Sequence, residues 1–72
     1  MKKLDLHGTK HRNASNMVDT FIRQNKANLP VEIITGNSID MQNIIKKVVN
    51  LYGLKMEPKS YFNLGSYIIK DN

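Results

Sequence analysis

Cysteine and tryptophan are absent from this chain of 72 residues, and proline occurs only twice. Without cysteine there is no disulfide staple and no thiolate metal site, and nothing marks an oxidising compartment. No apolar run approaches the roughly 20 residues needed to span a bilayer. The opening residues Met1-Lys2-Lys3-Leu4-Asp5 lack the apolar stretch of a signal peptide. A cytoplasmic location without membrane contact is therefore expected. Acidic residues are also few, 6 against 11 lysines and arginines, for a net charge of +5. Small basic domains commonly meet polyanions, because phosphate contacts supply affinity that does not depend on sequence. Repeats, low-complexity tracts and linkers are missing too, so residues 1–72 form one small domain with a modest core.

Apolar periodicity organises the rest. Lys3 to His7 reads as a first strand. Ala14, Met17, Val18, Phe21 and Ile22 recur at helical spacing, which predicts an amphipathic helix from Lys10 to Gln24 with Thr9 as its N-cap. Asn25 to Pro30 is a polar connector, and Val31 to Thr35 suits a buried strand. Gly36-Asn37-Ser38 is turn chemistry, and Ser38 or Asp40 can cap a second helix whose stripe is Met41, Ile44, Ile45, Val48, Val49 and Tyr52. Gly53 stands where a C-terminal αL residue is wanted, followed by Leu54 as its apolar contact. Leu54 to Lys59 is a strand whose Pro58 argues for an edge. Tyr61 to Gly65 reads as a bend or strand end, and Ser66 to Lys70 as the last strand. The order β-α-β-α-β-β predicts an α/β domain, an α+β two-layer sandwich. Its mixed four-stranded sheet carries both helices on one face, with the other face left open as a route to a dimer.

The most informative segment is Leu4-Asp5-Leu6-His7-Gly8. On a strand, residues i and i+2 share a face about 7 Å apart. Leu4 and Leu6 then face the core, while Asp5 and His7 share the opposite face or its rim. Histidine suits proton transfer because its ordinary pKa, about 6.5, lies near working pH. Gly8 reads as a φ > 0 or close-approach position between strand and helix, which also lets a phosphate near the helix start. Lys10, His11 and Arg12 crowd the first helical turn, where the macrodipole disfavours cations. Lys10 and Arg12 are candidate phosphate contacts, with Arg12 favoured for its planar fork, and His11 is read as a surface residue. Gly36, Asn37 and Ser38 form a second candidate phosphate-binding turn, or simply a turn and a cap. Tyr61 and Phe62 read as core or sheet residues, with base stacking as the alternative. Beyond Asp5-x-His7 no compact ligand spacing exists, so neither a metal nor another cofactor is expected.

These residues resemble the Smr (small MutS-related) domain family over nearly the whole chain. Leu4-Asp5-Leu6-His7-Gly8 matches the family's Leu-Asp-Leu-His-Gly signature letter for letter. Asn13-Ala14 falls where the family has Glu-Ala. Ile33-Ile34-Thr35-Gly36-Asn37-Ser38 is similar to its second signature, a strand running into Thr-Gly-x-Gly. Asn63-Leu64-Gly65-Ser66-Tyr67-Ile68-Ile69 resembles its closing turn and strand. Ser38 replaces the second glycine and Asn37 the usual lysine, and the following loop is about one residue short, with Gln42 near its start. The resemblance implies a fold similar to the C-terminal domain of translation initiation factor three. It also implies an endonuclease acting on RNA or DNA, in some members on ribosome-bound messenger RNA, with Asp5 and His7 tied to cleavage. Only Gly36 carries over from the Gly-x-Gly loop. RNA is the favoured substrate. A non-catalytic nucleic-acid or ribosome binding module with the same fold is the alternative, and a protein-interaction domain comes third.

Overall fold

Which side of each strand faces the core follows from the alternation of its side chains, and the helices supply the stripes that cover that side. The computed structural model describes residues 1–72. It runs β1 (Lys3–Asp5), α1 (His11–Asn25), a 3-10 turn (Lys26–Asn28), β2 (Val31–Ile34), α2 (Ile39–Leu51), β3 (Lys55–Ser60) and β4 (Asn63–Lys70). The sheet order is β1-β2-β4-β3, with β1 parallel to β2 and β4 antiparallel to both of its neighbours. The architecture is thus α+β, two helices against a mixed four-stranded sheet. No helix is long and apolar enough to cross a membrane.

Leu6, Val31, Ile33 and Ile69 from the sheet meet Ala14, Val18 and Ile22 of α1 and Met41, Ile45, Val48 and Val49 of α2 in one buried cluster. Leu4, Ile33 and Tyr67 lie side by side in the sheet register, as do Val31 and Ile69. The residues between them, Lys3, Asp5, Glu32 and Ser66, therefore point to the face without helices. Both helical stripes are narrower than the periodicity suggested. Met17 is exposed and Phe21 half-buried. They line a shallow groove with Leu4, because β1 is a three-residue edge strand and nothing lies beyond it.

Element ends differ from expectation in three places. Helix α1 begins at His11, and Lys10 takes the N-cap position without a side-chain cap bond. Thr9, the expected N-cap, belongs instead to the tight turn in which its N–H donates to the Leu6 carbonyl at 2.9 Å. Strand β1 stops at Asp5, although the Leu6 N–H still donates to the Ile34 carbonyl at 2.8 Å. Of the segment Tyr61 to Gly65, read as a bend or strand end, Tyr61 and Phe62 form the connecting turn and Asn63 to Gly65 already belong to the β4 ladder. The Leu29–Pro30 peptide is cis.

Helix α2 carries both of its expected caps. Ser38 Oγ accepts the Met41 N–H at 3.1 Å. At the other end the N–H groups of Gly53 and Leu54 donate to the carbonyls of Asn50 and Val49 at 3.0 and 3.1 Å, a Schellman pair closed by Gly53 at φ +67°. Ser38→Ala removes the N-terminal cap and is expected to destabilise the domain by about 1 kcal/mol. The check is a lower urea midpoint at unchanged slope. Away from the sheet, the Tyr52 hydroxyl donates to Asp19 and ties α2 to α1. That bond raises the Tyr52 pKa above its ordinary value, helped by burial and by the Asp19 charge.

Candidate active site

Because β1 and β2 are parallel neighbours, both end at the same edge of the sheet, and each runs directly into a turn that leads to a helix. In the first turn Leu6 is fully buried while Asp5 and His7 are exposed, as the alternation requires. Asp5 Oδ1 accepts the backbone N–H of His7 at 2.9 Å. The carboxylate thus holds the backbone of the turn, and the imidazole is not its partner. Gly8 reverses the chain at φ +81°, with open space where a side chain would begin, so its conformation alone calls for glycine.

The second turn is anchored on β4. The Gly65 carbonyl accepts the N–H of Thr35 at 2.8 Å and the N–H of Gly36 at 3.0 Å, while the Thr35 hydroxyl donates to the Gly36 carbonyl at 2.7 Å with the Gly65 carbonyl 3.2 Å away. Gly36 adopts φ +65°, and a Cβ on it would stand 3.5 Å from His7 Cδ2. The imidazole edge therefore lies beside Gly36. Gly65 packs in turn against Gly36, where an added Cβ would meet the Gly36 carbonyl carbon and oxygen at 3.3 Å. Gln42 Nε2 donates to the Leu64 carbonyl at 3.0 Å, which ties α2 to the start of β4. Three segments distant in sequence converge here on His7, Gly36 and Gly65.

The anticipated phosphate ligands divide into two groups. The Gly36 N–H already donates to Gly65 and is not free, whereas Ser38 Oγ only accepts the Met41 N–H as the α2 cap, which leaves its O–H proton able to donate. Asn37 is exposed. Lys10, His11 and Arg12 are exposed at the head of α1, where Lys10 and Arg12 form no ion pair. Lys46 and Lys47 lie on the exposed side of α2. No three His, Asp or Glu side chains come together as metal donors, and Asp5 and His7 lack a third partner. The surface has three concavities, and neither Asp5 nor His7 lines any of them. Small molecules are usually held in enclosed clefts.

The uncovered face holds a charge that the β-branched run Val31 to Thr35 did not lead one to expect. Glu32 is only 3% exposed. Its Oε2 accepts the Ser66 hydroxyl at 2.5 Å and the Lys59 ammonium at 3.2 Å. Lys59 sits at a bulge in the β3–β4 ladder, between Pro58 and Ser60, and reaches across β4 to the central strand. The Ser66 hydrogen bond lowers the Glu32 pKa below the ordinary 4.5, burial opposes it, and Lys59 and Lys3 add to the lowering. A carboxyl whose folded pKa lies below its unfolded one contributes stability above the unfolded value. That contribution is lost as pH falls through the folded value. Unfolding free energy is expected to decline with acidification from about pH 4.5 downward. Glu57, lowered chiefly by its hydrogen bond from Lys70, adds a slope of the same sign. Urea titrations across this range on the unmodified chain and on Glu32→Gln check this. The variant loses part of the slope, and an identical slope would assign it elsewhere.

Gly65, Thr35 and Glu32 are the positions the sequence reading did not single out as site residues. The signal for Glu32 was present, since it is the one charged residue in its apolar run. None existed for Gly65 beyond its place in the closing turn, because its partner lies 30 positions away at Thr35. Compared with protein-family models, curated proteins and solved structures, the chain matches none.

Proposed function

We propose that this chain is an endonuclease of the Smr type, cutting single-stranded RNA in preference to DNA with His7 as its proton-transfer group. The observation that carries the reading is the placement of His7 beside Gly36 at the shared end of two parallel strands, with unpaired Lys10 and Arg12 at the adjoining helix start. In this chemistry a base takes the proton of the 2′-hydroxyl and O2′ bonds to the neighbouring phosphorus. The P–O5′ bond breaks, and the leaving O5′ receives a proton. His7 performs one of the two transfers. Asp5 fixes the His7 backbone through Oδ1, so it acts mainly by positioning the imidazole. Lys10 and Arg12 hold phosphates on either side, and Arg12 can grip one with two donors.

The same Asp5 contact supports a second reading, a binding module for nucleic acid or the ribosome that cuts nothing. A carboxylate whose partner is a backbone amide is sufficiently explained by the turn alone. Incubation of the purified protein with end-labelled single-stranded RNA and with supercoiled plasmid separates the two. The expected products are a 2′,3′-cyclic phosphate and a 5′-hydroxyl. A 5′-phosphate would overturn the 2′-hydroxyl route, and nicked plasmid with intact RNA would overturn the substrate preference. Binding without cleavage of either favours the module.

A further inference from the structure

The largest exposed apolar side chains in one place lie at the tip of the β3–β4 hairpin. Tyr61 is 89% exposed, Phe62 92% and Leu64 54%. Tyr61 and Phe62 are neither core nor sheet residues, contrary to the sequence expectation. They are the two connecting residues between Ser60 and Asn63, which pair across the hairpin. Turn chemistry favours Gly, Asn or Asp at such positions, and neither residue has positive φ here. The hairpin is held by other groups. Ser60 Oγ accepts the Asn63 N–H at 3.1 Å, Asn63 Oδ1 accepts the Gly65 N–H at 3.1 Å, and Lys59 is fastened to Glu32. Nothing in the fold therefore requires two aromatic rings at the tip, and solvent opposes them there.

We propose that Tyr61 and Phe62 form a stacking platform for the unpaired bases of a single-stranded nucleic acid whose backbone crosses the His7 end of the sheet. The inference rests on the nucleic-acid reading of that end and adds what holds the strand in place. The two rings meet edge to face, with centroids 5.1 Å apart and planes at 79°, so they do not stack on each other and open faces remain. Tyr61 and Leu64 also line a shallow depression with Glu57, Pro58 and Ser60, which gives a base a floor as well as a wall. From Asn63, the first strand residue after the tip, β4 needs two residues, about 7 Å, to reach Gly65 and hence Gly36 and His7. One strand can touch both places. The occupant follows from charge. Unpaired Lys10 and Arg12 flank the other side of the site, and cations that track a backbone beside rings that stack bases are the recurring combination in single-strand binding. Duplex bases are already stacked and offer these rings nothing.

The test is fluorescence anisotropy with labelled poly(A) and poly(U) oligonucleotides and with their duplex. It compares the unmodified chain with Tyr61→Ser/Phe62→Ser, after thermal melts show that both are folded. The expected result is affinity for single strands weakened about 10-fold or more in the variant, with duplex binding unchanged. A second protein, Phe62→Trp, should show its emission quenched by poly(A). Equal single-strand affinity in the double variant would overturn the platform and leave the nucleic-acid reading intact. An equal loss on single strands and duplex would also overturn stacking. If the unmodified chain binds no nucleic acid even at low salt, the underlying reading fails and the platform with it. Sedimentation with anionic vesicles that needs Tyr61 and Phe62, with RNA binding that does not, would assign the tip to a lipid surface instead.

Discussion

His7→Ala is expected to lower RNA cleavage by about 10²- to 10⁴-fold, the usual contribution of a positioned proton-transfer group. The substitution is structurally mild. The His7 side chain is exposed, with its ring edge beside Gly36. Exposed truncations of this kind usually change stability by no more than about 0.5 kcal/mol. Melting temperature and affinity for uncleaved RNA should therefore be preserved while the rate collapses, which separates chemistry from folding and binding. Asp5 then distinguishes positioning from charge. Asp5→Asn keeps an oxygen able to accept the His7 N–H, whereas Asp5→Ala leaves that N–H without its partner. If Asp5 acts by holding the turn, Asn retains most of the rate and Ala does not. If the negative charge itself matters, both fall alike. Undiminished cleavage by His7→Ala would remove the imidazole from the mechanism.

Gly65→Ala is expected to destabilise the domain by about 1–3 kcal/mol, the cost of overpacking a site that cannot relax. The added methyl would meet Gly36 carbonyl carbon and oxygen at 3.3 Å, and these are backbone atoms rather than the end of a flexible side chain. Gly36 has little freedom to retreat, because its N–H and that of Thr35 both donate to the Gly65 carbonyl. A domain of 72 residues has roughly 4–10 kcal/mol in total, so the loss is a substantial share. Displacement of Gly36 also shifts the surface against which His7 rests. Cleavage should fall further than the unfolded fraction explains, even at temperatures where the variant remains folded. Gly8→Ala makes the contrast. Its methyl would enter open space, so any cost there arises from φ +81° alone. Urea melts and single-turnover cleavage on both variants provide the check. A Gly65→Ala protein with unchanged stability and rate would show that this contact constrains neither.

The fold follows the sequence wherever the signal is local. Ala14, Val18 and Ile22, and Met41, Ile45, Val48 and Val49, are the buried members of the two stripes read from helical spacing. Ser38 and Gly53 cap α2 as their residue types suggested. Asp5 and His7 stand exposed on either side of a buried Leu6, the pattern of strand alternation, although β1 ends at Asp5 and His7 lies in the turn beyond it. Where local rules compete, the fold departs from them. Thr9 is a better N-cap residue than Lys10, but the Gly8 turn engages its N–H one residue too early. Asn63 to Gly65, read as a bend or strand end, form the start of β4, where the Gly65 carbonyl serves the end of β2.

By itself the sequence determined the elements, their buried sides, two caps and the candidate pair Asp5 and His7. All of these depend on residues within a few positions of one another, through backbone periodicity and short-range hydrogen bonds. Only the tertiary structure decided that β4 enters between β2 and β3, that Gly65 closes on Gly36 beside His7, that Glu32 is buried under Ser66 and Lys59, and that Tyr61 and Phe62 stand in solvent. The first three of these outcomes depend on which distant segments become neighbours, whereas Tyr61 and Phe62 stand in solvent because they connect the paired Ser60 and Asn63. Strand pairing is chosen by the burial of the whole core, and no window of adjacent residues contains that choice.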